Sequence, residues 1–302
     1  MSASQRVLSY LQRVSCKLNT AQVAGEPQVA GEPQLVASGW NKYATDWSPT
    51  KFPVLPGYRL RYVGDEWTAE DVSAGGTTYG LAPDIIANFE GYINKYLLNS
   101  YLPSYATEGL EIGPGGGRLT ALLVPRTKVL HLAEASEAML RHLKGRFVGV
   151  NNLRYYHTDG MTLPALQPGS LDYVIAFDVF VHFEARLIYW YLRQIAHLLT
   201  PGGTAIIHYA NVLTPIGWHE FEIRLESNVQ KRHFAAFGVM CPQLMARFLE
   251  ALELEIISSD TGVIPRDAIA VFRKPLKNRT RVMYLSAARS LAGSIPQPLL
   301  DG

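Results

Sequence analysis

The chain has 302 residues, of which 48% are hydrophobic, and this is enough for one large buried core. Its 28 basic and 26 acidic residues leave a formal net charge of +2, without a dense Lys/Arg run, so nucleic acid is not expected as a partner. No stretch approaches the roughly 18 apolar residues of a membrane span. The two cysteines, Cys16 and Cys241, lack metal-ligand spacing. These features predict a cytoplasmic protein.

The N-terminal part of the chain is predicted to lie outside the core. Residues 1–35 form a flexible segment in this interpretation, because they carry the sequence VAGEPQ twice in succession. Residues 36–107 are predicted to form an aromatic-rich lid and a lead-in helix, the helix over residues 83–101. Tyr43 and Trp47 are candidate substrate contacts in the lid. The alternative is that these aromatics only anchor an irregular extension to the core.

The run LEIGPGGG, residues 110–117, is predicted to end a buried strand and begin a ligand-binding turn. Gly113, Gly115 and Gly117 lack Cβ atoms, so the backbone can approach a ligand closely. Glu111 restricts the ligand, because its carboxylate would repel a pyrophosphate and attract the ammonium of an amino acid. The run therefore favours S-adenosylmethionine over a dinucleotide. Alternatively, it is a tight connection that binds nothing.

A second strand is predicted over residues 128–133, and Glu134 stands at its end, about 20 residues beyond the first glycine. A carboxylate there would accept hydrogen bonds from both ribose hydroxyls, with Ala135 beside it at the cofactor. The alternative is a solvated charge at a helix start, because Ser136 is a suitable N-cap for a helix over residues 137–146.

A third strand, residues 153–157, precedes a second candidate cofactor contact. Asp159 can accept a hydrogen bond from an adenine amino group, and Gly160 leaves room for the ring. The alternative is an ordinary Asp-Gly turn.

The apolar run LDYVIAF, residues 171–177, is typical of a central parallel strand buried on both faces. Phe177 and Asp178 are candidate cofactor contacts, because open α/β sheets bind ligands beyond the carboxyl ends of their strands. The next helix is predicted over residues 185–199, stopped by Pro-Gly-Gly, with a fifth strand over residues 204–208.

Together, these motifs resemble the class I S-adenosylmethionine-dependent methyltransferases over roughly residues 83–274. The matching pieces are LEIGPGGGR, HLAEASEAML, HTDG, LDYVIAFDVFVHF and LLTPGG. The resemblance implies a doubly wound, mainly parallel, seven-stranded Rossmann-like α/β sheet over residues 108–274. Residues 254–259 and 268–273 fit its final pair of strands. One departure is Pro125, which shortens the helix after the glycine turn.

Two further segments flank this predicted core. Residues 209–240 are too long for a simple connection to the helix predicted over residues 242–252, so we expect them to wall the acceptor site. Candidate substrate contacts are His208, directly before this segment, and Trp218 and His219 within it. Residues 275–302 form a tail whose role the sequence does not indicate.

His182 is the candidate catalytic base, because it follows the fourth strand and histidine accepts protons near neutral pH. The alternative is that His182 only packs among aromatic residues. His208, His219 and His233 are further candidates for the base. Asp178 and Asn211 alone supply too few oxygen ligands for magnesium, so methyl transfer without a metal ion is expected.

The resemblance implies conversion of S-adenosylmethionine into S-adenosylhomocysteine. The expected acceptor is a small molecule, such as a phenolic compound or a sugar, methylated at a hydroxyl oxygen; carbon and nitrogen stay open, as does a homo-oligomer. Other hypotheses are an NAD-dependent oxidoreductase and a methyltransferase-like fold that serves non-methylating chemistry or scaffolding.

Overall fold

The computed structural model describes residues 39–41, 89–223, 225 and 237–276. Most of the predicted lid, including Tyr43 and Trp47, lies outside these residues, as do residues 1–35 and His233. The strands are β1 (Ala106–Ile112), β2 (Thr127–Glu134), β3 (Leu153–His157), β4 (Leu171–Phe180), β5 (Leu199–Ala210), β6 (Glu255–Asp260) and β7 (Asp267–Arg273).

Besides the helical residues 39–41 and 225, six helical elements accompany these strands in the described part of the chain. Helix α1 comprises Phe89–Ile93, a π-helical turn Asn94–Leu98 and Asn99–Tyr101. The others are α2 (Arg118–Leu123, continued by the 3₁₀ turn Val124–Arg126), α3 (Glu137–Arg146), α4 (Ala185–Leu198), α5 (Pro215–Ile223) and α6 (Pro242–Ala251).

The strands form one seven-stranded sheet in the order β3-β2-β1-β4-β5-β7-β6. Neighbouring strands from β3 to β5 are parallel, and β7 is antiparallel to both β5 and β6. The predicted mainly parallel sheet with one antiparallel strand is therefore confirmed.

Helices cover both faces of the sheet. On one face, the apolar stripe of α4 and part of α6 pack with residues such as Val174 and Ile207. On the other, α1 and α2 pack with residues such as Leu130 and Ile175. Both faces of the central strands are thus buried, which explains their near-continuous apolar sequence.

Two predicted strands are longer than expected. Strand β5 begins at Leu199, directly after α4. Pro-Gly-Gly therefore lies inside the strand and not between the helix and the strand. The pairs Leu171–Leu199 and Tyr173–Thr204 show that these residues bulge out of the ladder, with Gly202 at φ 86°. Strand β4 continues to Phe180 through a second bulge, so Asp178 lies within the strand rather than after it.

Gly109, in β1, is expected to be intolerant of a side chain. A Cβ there would overlap the ring of Tyr173, which is fully buried and held by a 2.6 Å hydrogen bond between its hydroxyl and that of Thr127. We expect Gly109→Ala to lower the free energy of unfolding by about 1–3 kcal/mol, measured by urea denaturation. The matched control is Gly145→Ala in α3, where an added Cβ meets no atom within 4 Å. Equal effects of the two substitutions would contradict this packing argument.

Candidate active site

Candidate residues from four neighbouring strands lie along one edge of the sheet. Because parallel strands end on the same side, Asp159 after β3, Glu134 at the end of β2, the glycine turn after β1 and Asp178 near the end of β4 follow one another in this order. This edge is where open α/β sheets bind their ligands.

The glycine turn needs glycine for its backbone conformation. Gly113, Gly115 and Gly117 have φ values of 65°, 55° and 89°, all in the left-handed region that other residues rarely adopt. A Cβ at Gly113 would also overlap the side chain of Val179 in the β4 bulge. The turn therefore packs directly against the end of β4, and a side chain at its first glycine would fill the space between them.

Glu111 lies beneath this turn and is 2% exposed. Its Oε2 accepts a hydrogen bond from the Thr120 hydroxyl at 2.7 Å. Burial raises the pKa of Glu111 to about 8; the Thr120 hydrogen bond opposes this shift, and the nearby Glu134 carboxylate adds to it. Without a cation nearby, this carboxyl is therefore mostly protonated at neutral pH.

Glu134 connects the end of β2 with the glycine turn. Its carboxylate accepts hydrogen bonds from the main-chain N–H groups of Gly115 at 3.1 Å and Ser136 at 2.8 Å. Burial raises the pKa of Glu134, although these hydrogen bonds oppose the shift. Ser136 caps α3 as predicted, because its hydroxyl accepts from the Met139 N–H at 3.2 Å.

The Asp159 side chain holds the loop that follows β3 by accepting hydrogen bonds from residues just after it. Its Oδ1 accepts from the N–H groups of Met161 and Thr162, at 2.8 and 2.6 Å, and its Oδ2 from the Thr162 hydroxyl. Partial burial would raise its pKa, but these hydrogen bonds outweigh burial and lower it. Gly160 is buried with φ 78°. This geometry fits the Asp-Gly turn, and a contact with adenine stays a prediction.

Asp178 is a non-glycine residue with φ 59° in the β4 bulge. Its carboxylate forms an ion pair with Arg118, the first residue of α2 after the glycine turn. The two side chains are only 19% and 11% exposed, so solvent screens this pair little. It joins the turn after β1 to the end of β4.

His182 follows β4 and is half-buried. Its ring centroid lies 5.5 Å from that of Trp40 at an interplanar angle of 56°. The neighbouring Asn41 accepts hydrogen bonds at the start of α3, from the Ala138 N–H at 3.0 Å and the Ser136 hydroxyl at 3.4 Å. The segment 39–41 therefore contacts residues that follow β4 and residues that follow β2.

Comparison with known proteins identifies the type of domain. Residues 110–203 match a family model described as a methyltransferase domain. That match spans β1 to the start of β5, including the glycine turn, Glu134 and Asp178. Class I S-adenosylmethionine-dependent methyltransferases have this seven-stranded sheet, with its antiparallel strand second from the edge. Residues 110–203 are therefore similar to a methyltransferase domain, within a sheet of this strand order.

Solved methyltransferases have a similar fold. A SAM-dependent methyltransferase from Leishmania major is 14% identical and covers 80% of this chain and 83% of its own, with a TM-score of 0.52. The N-methyltransferase NodS from Bradyrhizobium japonicum, solved with S-adenosylhomocysteine, is 18% identical over 62% of this chain and 88% of its own, with a TM-score of 0.48. No curated protein matches the chain.

The matched methyltransferase domain supports S-adenosylmethionine as the expected cofactor. Within the ranges that the structure describes, no group of three or more His, Cys, Asp or Glu residues is placed to hold a metal ion. Asn211, one of the two candidate magnesium ligands, accepts the Leu213 N–H at 3.1 Å in its own turn. None of the described helices has the length and apolar character of a membrane span.

The predicted substrate contacts lie in different environments. His208 is fully buried in β5, where Phe177 stacks on its ring with centroids 4.5 Å apart. Trp218 is 49% exposed on α5 and contacts Phe221, and His219 is exposed beside it. All three roles stay predictions, and His208 is better placed to orient its neighbours than to contact a substrate directly.

Several residues of this candidate site were not predicted. Arg118, Asn41 and Asp267 enter it through ion pairs or hydrogen bonds with Asp178, α3 and His208. Only Arg118 carried a local signal, as a cation directly after the last glycine of the turn. The other two depend on residues distant in sequence.

Proposed function

We propose that the cofactor lies along the sheet edge, with methionine at the glycine turn, ribose at Glu134 and adenine at Asp159 and Gly160. The observation that carries this proposal is the spatial order of these groups, which matches the order of the three parts of S-adenosylmethionine. Ala135 and Phe177 stand beside the ribose and methionine positions in the same scheme. Glu134 supplies carboxylate oxygens for both ribose hydroxyls.

Charges around the turn support the methionine position. An amino acid carries an ammonium and a carboxylate, and the Arg118–Asp178 pair offers one partner for each. Glu111 lies beneath the same turn and would ionise beside the ammonium. A dinucleotide pyrophosphate would instead meet the two buried acids Glu111 and Glu134. An NAD-dependent oxidoreductase is therefore not favoured.

The reaction in this proposal is methylation of a hydroxyl oxygen on a small molecule. S-adenosylmethionine supplies a methyl group activated by its sulfonium. His182 stands beyond β4, next to the proposed methionine position, and is half-buried beside Trp40. Its imidazole would accept the hydroxyl proton as the oxygen attacks. The aromatic ring of Trp40 offers a flat apolar wall for a planar acceptor.

Two measurements test this function. Calorimetry with S-adenosylhomocysteine and with NAD should show binding of the first and none of the second. Methyl-labelled cofactor incubated with the protein and a cell extract should then transfer label to a small molecule, whose methylated atom mass spectrometry and NMR identify. Label on a protein or nucleic acid, or on a nitrogen, would contradict the proposed acceptor while leaving the cofactor site standing.

A further inference from the structure

We propose that His208 is a positioning residue that holds Asp178 in the active site by acting as a neutral imidazole with its proton on Nε2. The inference rests on the proposed role of Asp178 at the methionine end of the cofactor. It adds two buried residues, His208 and Asp267, that determine where Asp178 lies.

The first observation is the bulge in β4. Ala176 pairs with Ile207 and Phe180 pairs with Tyr209, so three residues of β4 lie opposite His208 alone. The bulge places Val179 against Gly113 and Asp178 against Arg118. It also removes the main-chain N–H of Asp178 from regular pairing with β5, and a buried N–H requires another acceptor.

The His208 side chain supplies that acceptor. The Asp178 N–H donates to His208 Nδ1 at 3.1 Å, and Asp178 Oδ1 lies 3.4 Å from the same nitrogen. The shorter contact, with the main-chain N–H, requires a lone pair on Nδ1. The proton of the neutral ring is then on Nε2, which faces Asp267 Oδ2 at 2.9 Å. A proton on Nδ1 would remove the acceptor of the Asp178 N–H and would have to donate to Asp178 Oδ1 instead.

Asp267 is held in turn by Arg266. The Arg266 guanidinium donates to both carboxylate oxygens of Asp267, at distances from 2.6 to 3.0 Å. His208 and Asp267 are both 0% exposed, so water does not compete for these hydrogen bonds. An ionised Asp267 that accepts from Nε2–H fixes the tautomer, as an oriented carboxylate does for many functional histidines.

Replacing His208 by an amide residue tests its two hydrogen bonds one at a time. His208→Asn can place its Oδ1 near the position of Nδ1 and accept the Asp178 N–H, but it is too short to reach Asp267. His208→Gln can reach Asp267 and loses the acceptor next to Asp178. Asp267→Asn retains the size of the side chain but can donate to Nε2, which would move the ring proton to Nδ1.

The test uses the full-length protein labelled with ¹⁵N-histidine. Long-range ¹H–¹⁵N spectra report the tautomer, and the signals lost in His208→Asn assign this ring among the eight histidines. We expect the Nε2–H form in the wild type and the Nδ1–H form in Asp267→Asn. S-adenosylhomocysteine affinity should fall about tenfold in His208→Gln, the loss of one buried hydrogen bond, and less than about threefold in His208→Asn.

A doubly protonated or Nδ1–H ring in the wild type at pH 7.5 would overturn the proposal. Equal loss of affinity in His208→Asn and His208→Gln, with both variants folded by thermal denaturation, would also overturn it. The tautomer can be measured in the protein without a bound cofactor. If the wild type shows the Nε2–H ring but none of these variants changes cofactor affinity, the proposed place of Asp178 at the cofactor fails while the tautomer assignment stands.

Discussion

Glu111→Gln is expected to stabilise the folded protein at pH 7–8 and to weaken its binding of S-adenosylmethionine. The wild-type carboxyl is 2% exposed, and burial raises its pKa from 4.5 to about 8. A glutamine has similar size and can still accept the Thr120 hydroxyl, yet it never carries the charge that burial disfavours. The same charge is what the ammonium of the cofactor would pair with.

The pH dependence of this effect follows from proton binding. Between pH 4.5 and about 8, the folded protein retains the Glu111 proton and the unfolded chain loses it, so this residue contributes less stability as the pH rises. Glutamine has no such dependence. The free energy of unfolding of Glu111→Gln should therefore exceed that of the wild type increasingly from pH 5 to pH 8, by about 1–3 kcal/mol at pH 7.

Cofactor binding should show the opposite change. In the wild type, the cofactor ammonium favours the ionised carboxylate, so binding releases a proton and strengthens as the pH rises from 6 to 8. The variant should bind S-adenosylhomocysteine about 10- to 100-fold more weakly, the value of a buried charge-assisted hydrogen bond, and release no proton from this site.

Urea denaturation from pH 5 to 8 measures the first effect, and calorimetry in buffers of different ionisation enthalpy measures the second. Glu137→Gln serves as control, because Glu137 is 65% exposed on α3 and should change neither quantity appreciably. A destabilised Glu111→Gln that retains wild-type affinity would show that Glu111 is only a structural partner of Thr120.

Local signals in the sequence predicted the parts of the fold that depend on local interactions. Strand β3 and helix α3 have the predicted bounds, because the helix begins at a Ser N-cap with its apolar residues at helical spacing. The glycine turn adopts the positive φ values that only glycine tolerates readily. The α-helical part of α2 ends at Leu123, two residues before Pro125, which has no N–H to continue the helical hydrogen bonds.

Long-range partners determine the parts that were not predicted. Asp178 adopts a positive φ because His208 and Arg118, from β5 and α2, hold its N–H and carboxylate. No pattern near Asp178 encodes either partner. Asn41 caps the start of α3 from almost a hundred residues away, and a sequence read by periodicity does not show such a contact. The backbone of the glycine turn was therefore predictable from the sequence, whereas the side chains that contact Asp178 and α3 were not.

His182→Ala tests the acceptor side, where the sequence and the structure give the least direct information. If His182 accepts the hydroxyl proton, its removal should lower kcat by about 10²–10⁴-fold, the usual contribution of a general base. Affinity for S-adenosylhomocysteine should change by less than about twofold, because the proposed cofactor contacts lie on Glu134, Asp178 and the glycine turn. His142→Ala, on the exposed surface of α3, is the control and should leave both quantities unchanged.

A second variant separates proton transfer from packing, because His182 also contacts the ring of Trp40. Trp40→Leu removes the aromatic ring but retains the imidazole, so it should raise KM for a planar acceptor more than it lowers kcat. Raising the pH should partly restore His182→Ala with an acidic phenol, since hydroxide then removes the proton, and should not restore Trp40→Leu. Wild-type turnover in His182→Ala, measured with methyl-labelled cofactor, would rule out His182 as the base.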